Sequence, residues 1–500
     1  MKVEELISQG ISWECEKLIL RYQSYHNDLH IKWIRKKNFI DPQAKKLIKI
    51  PDYWDEDRKF NPFYVFKHRK AIAKSIAKKI VSGTYLPNTP YEKRIPKATG
   101  GERLISIYQI PDQAVSNLIY GQLLSKNKHR FSSFAYAYRD DRNAHYAIQD
   151  ISLELKESAR LFVAEFDFSD FFGSIDHNYL YEQFNKNGFS ISRNERDIIQ
   201  AFLKPRNKGV PQGTSISLFL ANLACWELDK NLEKNGLKFA RYADDTVVWS
   251  TDYTKICQAV DIIYDFSKQS GIKINLKKSD GVSIVAKKGF PSEFKPKVNG
   301  FDFLGYTISP EKVSIKKKAV DRIKGRISYI LYSTLIQPIS RTPFRSIKIP
   351  ANNMDHALLS AIHMIRRFLY GALSEKYLAA LLRGRIKQIR FKGIMSYYPF
   401  VDDIEQLKGL DGWLVDSIFN TVRKRLQILS CHKFRLTQKF PFNVPRPNLV
   451  FGFKKKVVKK TRPYTIPSFL RVYQAIQKGI INIGIPILLS SSSSYNYATI

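Results

Sequence analysis

The chain has 500 residues, 44% of them apolar, which is enough to bury a large core and to fill two to four domains. Its 82 lysines and arginines against 45 acidic residues leave a formal charge of +37, which points to a polyanion partner, most often nucleic acid, or to a generally basic surface. Cys15, Cys225, Cys257 and Cys431 lack metal-ligand spacing and fit a reduced setting, the start lacks a secretion-signal pattern, and the most apolar late stretch, Ile480 to Leu489, is too short to span a bilayer.

Residues 1–90 are predicted to be mostly helical, with amphipathic spacing over Ala71–Ile80. From 91 to 315 strands and helices alternate. Leu161-Phe-Val-Ala-Glu-Phe-Asp167 reads as a buried strand that ends in a carboxylate, and Asp170 and Asp176 after it suit helix-start caps better than metal ligands. Lys208-Gly-Val-Pro-Gln-Gly213 reads as a tight loop whose glycines allow close backbone approach to a ligand. Thr214, Ser215 or Ser217 can cap the apolar helix that follows. Strand-like runs then flank a turn, Tyr242-Ala-Asp-Asp245. Residues 316–430 read as helical; Val320, Ile323, Ile327 and Ile330 define one apolar face, and the basic face opposite suits either a duplex grip or plain solvation. Residues 431–500 form a basic extension with Phe440–Pro447, the run Lys454–Lys460 and a Ser490–Ser494 tract, irregular or strand-edge in its middle part. There is no internal repeat.

Two adjacent acids at a hairpin tip repel each other, and a divalent cation with oxygen ligands relieves that repulsion. Asp also favours turns on its own account, so a lone Ala-Asp-Asp reads first as a solvated turn. The strand acid Asp167 alters the balance. A strand end beside a hairpin tip can bring Asp167 and Asp244 onto one pair of ions, which activate a 3′-hydroxyl and neutralise a leaving pyrophosphate.

In this order, Asp167, Pro211-Gln212-Gly213 and Tyr242-Ala-Asp-Asp245 resemble the reverse transcriptases. Gly271-Ile-Lys-Ile-Asn-Leu-Lys-Lys278-Ser279 is similar to the family's palm lysine motif, and Phe301-Asp-Phe-Leu304-Gly305-Tyr306 to its primer grip. Ile95-Pro-Lys97 with Arg103 resembles the fingers hairpin, and Ser133–Arg142 the Tyr-Arg finger motif. The resemblance covers roughly residues 55 to 320. It implies an α+β right-hand polymerase: fingers and a palm of antiparallel sheet plus helices over 91–315, a helical thumb over 316–430, an N-terminal helical region over 1–90 and a C-terminal extension over 431–500. Asp-Phe-Phe-Gly-Ser-Ile175, Phe60-Asn-Pro-Phe63, Arg366–Gly371 and Leu410–Trp413 are similar to segments of bacterial retron-like, defence-associated and abortive-infection members.

The resemblance further implies an RNA-directed DNA polymerase that makes cDNA from a structured non-coding RNA and deoxynucleoside triphosphates, in the bacterial cytoplasm and in antiphage defence. Two magnesium ions would be held by Asp167 and Asp244, with the Phe168 carbonyl and, less directly, Asp245. Lys97 and Arg103 would meet the triphosphate, and Gln212 and Gly213 the nucleotide's sugar. Phe172 would exclude a 2′-hydroxyl, or is a core aromatic. Lys278 would act near pyrophosphate, or is a solvated charge. Leu304, Gly305 and Tyr306 would grip the primer. Tyr495 or Tyr497 could prime synthesis from the protein itself, or belong to an incidental terminus. An intron-type maturase without an endonuclease, and a non-catalytic RNA-binding scaffold, are the alternative functions. No membrane partner is expected, and a homo-oligomer is left open.

Overall fold

The computed structural model describes residues 2–39, 43–97, 100–279, 281–291, 300–340, 357–371, 373–431, 440–451, 453–457 and 460–488. These fall into two compact units. One takes the described residues up to Asn27 and from Ile48 to Pro291, the other those from Asp28 to Leu47 and from Gly300 onward.

In the first unit, the part of helix α1 (Val3–Phe39) up to Asn27 buries Ile7, Ile11 and Cys15 against Val65, Ala73 and Ala77 of α2 (Pro62–Val81). Asn61 starts α2 by accepting from the N–H groups of Phe63 and Tyr64, with Pro62 at the first helical position. Strands β1 (Tyr91–Pro96) and β2 (Glu102–Ile107) form an antiparallel hairpin with Ile95 opposite Arg103. Helices α3 (Ile110–Asn127) and α4 (Ala144–Glu157) lead to strand β3 (Arg160–Phe166). Helices α5 (Phe171–Ser174), α6 (His177–Lys186), α7 (Arg193–Leu203), α8 (Ser215–Ala224) and α9 (Trp226–Lys234) follow. Then come β4 (Lys238–Tyr242), β5 (Asp245–Ser250), α10 (Tyr253–Ser270) and β6 (Gly281–Ala286).

The sheet order is β4-β5-β3-β6, with every neighbour antiparallel. The central strand β3 buries Leu161, Phe162, Val163, Ala164 and Phe166, which is why its sequence reads as a nearly continuous apolar run. Helix α8 is apolar almost all round and is correspondingly buried in the core.

Two capping expectations are corrected. Thr214 occupies the N-cap of α8 but makes no capping bond. The Ile216 N–H instead donates to Ser116 Oγ of α3 at 3.0 Å, and Ser116 also bonds the Thr214 hydroxyl at 2.7 Å. Asp176 does cap α6, accepting from Tyr179 N–H at 2.9 Å. Asp170 makes no side-chain capping bond and takes a left-handed backbone, φ +44°.

The second unit starts with a meander of β7 (Phe301–Phe303), β8 (Tyr306–Ile308) and β9 (Val313–Ile315). Helix α11 (Lys317–Leu331) buries Ala319, Ile323, Ile327 and Ile330, with Val320 half-buried on the same face. It runs into a π-helical turn, Tyr332–Ile336, where the buried Arg425 guanidinium donates to the Leu335 carbonyl. Helices α12 (Gln337–Ser340), α13 (Ala357–Tyr370), α14 (Glu375–Leu382), α15 (Ile404–Ser430) and α16 (Arg446–Phe451) precede a hairpin of β10 (Phe453–Val457) and β11 (Lys460–Tyr464). Lys454, Lys455, Lys456 and Lys460 of the basic run therefore lie in the strands of that hairpin, with Lys455 opposite Arg462.

Helix α17 (Phe469–Ile483) closes the described chain but for a short turn. Asp411 accepts from Phe469 N–H at 2.6 Å and Ser468 Oγ at 2.6 Å, and Tyr370 Oη accepts from Ser468 N–H at 2.7 Å. Arg366–Gly371 and Leu410–Trp413 thus converge on the start of α17. Among the described residues no helix is long and apolar enough to cross a membrane.

Candidate active site

Strand β3 ends at Phe166, paired with Thr246 of β5. Strands β4 and β5 close on a two-residue loop, Ala243-Asp244, between the paired Tyr242 and Asp245. Because β3 and β5 are neighbours, Asp167 emerges beside the turn that carries Asp244 and Asp245. Ala243 has φ +60°, the conformation that glycine usually supplies at the first position of a two-residue hairpin loop. An alanine there carries strain of about 1–2 kcal/mol.

A second segment holds Asp167 from the other edge. Asn275 N–H donates to the Asp167 carbonyl at 2.8 Å, and Ser169 N–H to the Lys273 carbonyl at 2.8 Å, around a bridge between Phe168 and Ile274. Backbone groups alternate in direction along an extended strand, so the Phe168 carbonyl turns to the opposite edge, where β5 pairs. The Phe168 ring is buried against Phe171 and Phe266. Asp167 is 7% exposed. Its Oδ2 accepts from Asn275 Nδ2 at 2.8 Å and from Lys278 Nζ at 2.9 Å, while its N–H donates to Ser279 Oγ at 3.2 Å.

The charges form one field. Burial raises the Asp244 carboxyl above its ordinary range; the charge of Asp167 adds to this, and Arg103 and Lys278 oppose it. The hydrogen bond to Asp167 raises the Lys278 ammonium, aided by the charges of Asp167, Asp245 and Asp244. The structure therefore brings Asp167, Asp244, Asp245, Lys278 and Arg103 together.

Gln212 and Gly213 lie against the β1–β2 hairpin. The Ser106 N–H of β2 donates to the Gln212 carbonyl at 2.7 Å. Gly213 has φ +128°, and a Cβ there would overlap the Ser106 carbonyl oxygen, so this close approach requires glycine. Lys97 sits at the loop end of β1 with its side chain exposed; its N–H donates to the Gly101 carbonyl at 2.9 Å. Phe172 is half-buried between Phe171 and Tyr138, with ring centroids 5.5 and 6.2 Å away. Tyr138 has φ +58°, and burial, then the charge of Asp244, raises its hydroxyl pKa. Arg139 serves its own loop, donating to Asp141 at 2.9 and 2.7 Å and to the Ser132 carbonyl.

Leu304 and Gly305 form the β7–β8 turn of the second unit, both with positive φ, as a type I′ hairpin loop requires. Tyr306 is buried there, donating to the Tyr397 carbonyl at 2.9 Å. Tyr495 and Tyr497 lie outside the described residues.

Absent from the expected site residues are Arg241, Asp229 and Asn222, which brace the Ala243-Asp244 turn, and Asn275 and Ser279, which bond Asp167. Arg241 was legible as an oddity, a charged residue inside an otherwise apolar strand run. Asn222 was another, a lone amide in the apolar run Leu218–Leu223.

Among the described residues no group of three or more His, Cys, Asp or Glu side chains could hold a metal ion unaided. The Asp167 and Asp244 carboxylates and the Phe168 carbonyl could serve as donors there. That hard oxygen set, completed by substrate phosphates and water, suits magnesium, which seldom uses an all-protein cage.

Residues 95–308 match the family model described as reverse transcriptase (RNA-dependent DNA polymerase), and this segment is a reverse transcriptase domain. With its fingers hairpin, antiparallel palm sheet and helical second unit, the chain has the α+β right-hand polymerase fold. It is 29% identical over 173 residues to the retron Ec86 reverse transcriptase of Escherichia coli, covering 34% of this chain and 49% of that one. Protein YkfC of Escherichia coli K12 is 26% identical over 171 residues, 32% of this chain and 44% of its own. The group II intron-encoded protein LtrA of Lactococcus lactis subsp. cremoris is 28% identical over 185 residues, 35% of this chain and 30% of its own. The chain thus spans at most about half the length of these relatives.

Proposed function

We propose that the chain is an RNA-directed DNA polymerase that makes cDNA by two-metal nucleotidyl transfer. The observation that carries this is the placement of Asp167, at the end of β3, beside the strained turn that presents Asp244 and Asp245. Asp167, Asp244 and the Phe168 carbonyl would hold two magnesium ions, with Asp245 in support. The ions, when bound, would supply Lewis-acid activation of the primer hydroxyl and neutralise charge on the pyrophosphate. Arg103 and Lys278 add fixed positive charge where the triphosphate's negative charge builds up. Phe172, braced by Tyr138, fills the space beside the sugar and favours deoxynucleotides. Lys97 meets the triphosphate from the hairpin end, and the Leu304–Gly305 turn contacts the primer.

The template is proposed to be a small structured RNA, and the role antiphage defence. The charge of +37 and the retron relative support an RNA partner. The likeness to LtrA favours a second reading, an intron-type enzyme that acts in splicing or mobility. Sequencing the RNA and cDNA that co-purify with the protein separates the two: a compact structured RNA with attached cDNA supports the first, and intron RNA the second. Plaque counts with wild-type and Asp244→Asn alleles test the defence role, which requires that only the wild type protect. Priming from Tyr495 or Tyr497 is tested by mass spectrometry for a nucleotide adduct; a Tyr495→Phe, Tyr497→Phe double variant with full activity would exclude it.

A further inference from the structure

Arg241 and Asp229 form a fully buried ion pair directly behind the catalytic turn. Arg241 Nε donates to Asp229 Oδ1 at 2.7 Å and one terminal nitrogen to Oδ2 at 2.6 Å, a bidentate fork. The other terminal nitrogen donates to the Ala243 carbonyl at 3.2 Å and to Asn222 Oδ1 at 3.3 Å. Asn222 Nδ2 in turn donates to the Ala137 carbonyl at 2.8 Å. The Arg241 backbone adds two bonds to the same neighbouring loop: its N–H to the Phe134 carbonyl and its carbonyl from Tyr136 N–H, both at 2.9 Å.

This network ends on two strained places. Ala243 holds φ +60° in the turn that presents Asp244, and Tyr138, next to Ala137, holds φ +58°. Non-glycine residues stay in that conformation only when their surroundings over-determine it. Here a single guanidinium and a single amide grip the carbonyls at both places. The Tyr138 ring meets the Phe172 ring edge to face.

A buried ion pair is no guarantee of stability, since apolar residues of similar volume often replace one without loss. What an apolar pair cannot supply is a directed grip on two backbone carbonyls. We propose that Arg241, with Asp229 and Asn222, is a positioning clasp that couples the metal-holding turn to the Tyr138–Phe172 pair, so that one buried network sets both the rate of nucleotide addition and the choice of sugar. The proposal rests on the polymerase reading above. Arg241 touches no substrate; it acts through Ala243 and, by way of Asn222, through Ala137 and Tyr138.

Two variants of the full-length protein test it. Asn222→Ala removes the grip on Ala137 and leaves the Arg241–Asp229 pair in place. The double variant Asp229→Leu, Arg241→Met replaces the pair by apolar residues of similar volume. Wild-type extension of an RNA-templated primer is measured first, and its absence would count against the polymerase reading alone. Hydrogen exchange at 134–138 and 242–245 then needs no activity. The clasp requires Asn222→Ala to speed exchange in both segments, including the turn that Asn222 does not touch. In extension assays, a misplacement of this kind should lower the rate by roughly 10- to 100-fold. The ratio of ribonucleotide to deoxynucleotide incorporation should rise in both variants. Unchanged exchange at 242–245 in a folded Asn222→Ala protein would overturn the coupling. So would a fall in rate with an unchanged sugar ratio, which is what mere structural support produces. If the double variant does not fold, Asn222→Ala, which buries no unpaired charge, decides alone.

Discussion

Lys278 Nζ stands 2.9 Å from Asp167 Oδ2, the same carboxylate oxygen that accepts from Asn275 at 2.8 Å. The palm lysine thus already lies on the acid that would hold the metal, with its own side chain half exposed. Reach and charge together fit a lysine that leaves Asp167 for the pyrophosphate as catalysis proceeds. Asp167 is buried, but the ammonium end of the pair is half exposed and screened by solvent, and Asp167 keeps its Asn275 hydrogen bond when the lysine is removed. Lys278→Met should therefore melt within a few degrees of wild type, yet extend primers about tenfold more slowly or worse through loss of positive charge at the leaving group. Melting curves beside single-nucleotide addition rates check this; an unaltered rate would make Lys278 a solvated charge only.

Sugar choice should depend on Phe172. Its ring is half-buried and packed edge to face on both Phe171 and Tyr138, so truncation opens space without breaching the centre of the core. Phe172→Val should raise ribonucleotide incorporation relative to deoxynucleotide, measured in competition on one template. An active variant with an unchanged ratio would make Phe172 a packing residue.

Gly213 should tolerate no side chain. Gly213→Ala would press a methyl group against the Ser106 carbonyl while demanding φ +128° of an alanine. Strain of about 1–3 kcal/mol is expected. Because Ser106 N–H holds the Gln212 carbonyl, the strain falls on the contact between the β1–β2 hairpin and the loop proposed to meet the nucleotide. The variant should show a lowered melting temperature and a raised KM for deoxynucleotides, read by thermal melts and steady-state kinetics.

His145 should make stability fall on mild acidification. Burial lowers its pKa from its ordinary 6.5 to about 4. The folded value lies below the unfolded one, so the contribution is complete above pH 6.5 and is lost as pH falls toward 4. The full effect is on the order of 3 kcal/mol. Melts between pH 7 and 4.5 should show a steeper decline for wild type than for His145→Leu; parallel declines would contradict the assignment.

The strands and acids were legible because their signals are local. Leu161–Asp167 is an apolar run closed by a carboxylate, and Tyr242–Asp245 is a turn between two such runs. What escaped depends on long-range partners. Thr214 had the right residue type for a cap, but Ser116, about a hundred positions away, takes the N–H that a cap would take. Asp170 also had a capping type, but its left-handed backbone leaves its side chain without a capping bond. Asp229 looks like an ordinary surface charge and Arg241 like an isolated charge in an apolar run, and nothing local pairs them until the fold encloses them together. Asn275 and Ser279 sit in a lysine-rich stretch whose periodicity says nothing of Asp167. The Arg366–Gly371 and Leu410–Trp413 segments carried no readable chemistry because their polar groups serve the start of α17.

Asp167 and Asp244 are proposed to hold the catalytic metals jointly. Primer extension on an RNA template in magnesium, with Asp167→Asn and Asp244→Asn beside wild type, tests it most directly. Each variant should lose synthesis by about a thousandfold or more, the several kcal/mol of charge stabilisation that bound metal supplies. RNA binding, which the +37 charge would carry, should remain near wild type at the same salt. Near-normal extension by either variant would contradict the assignment.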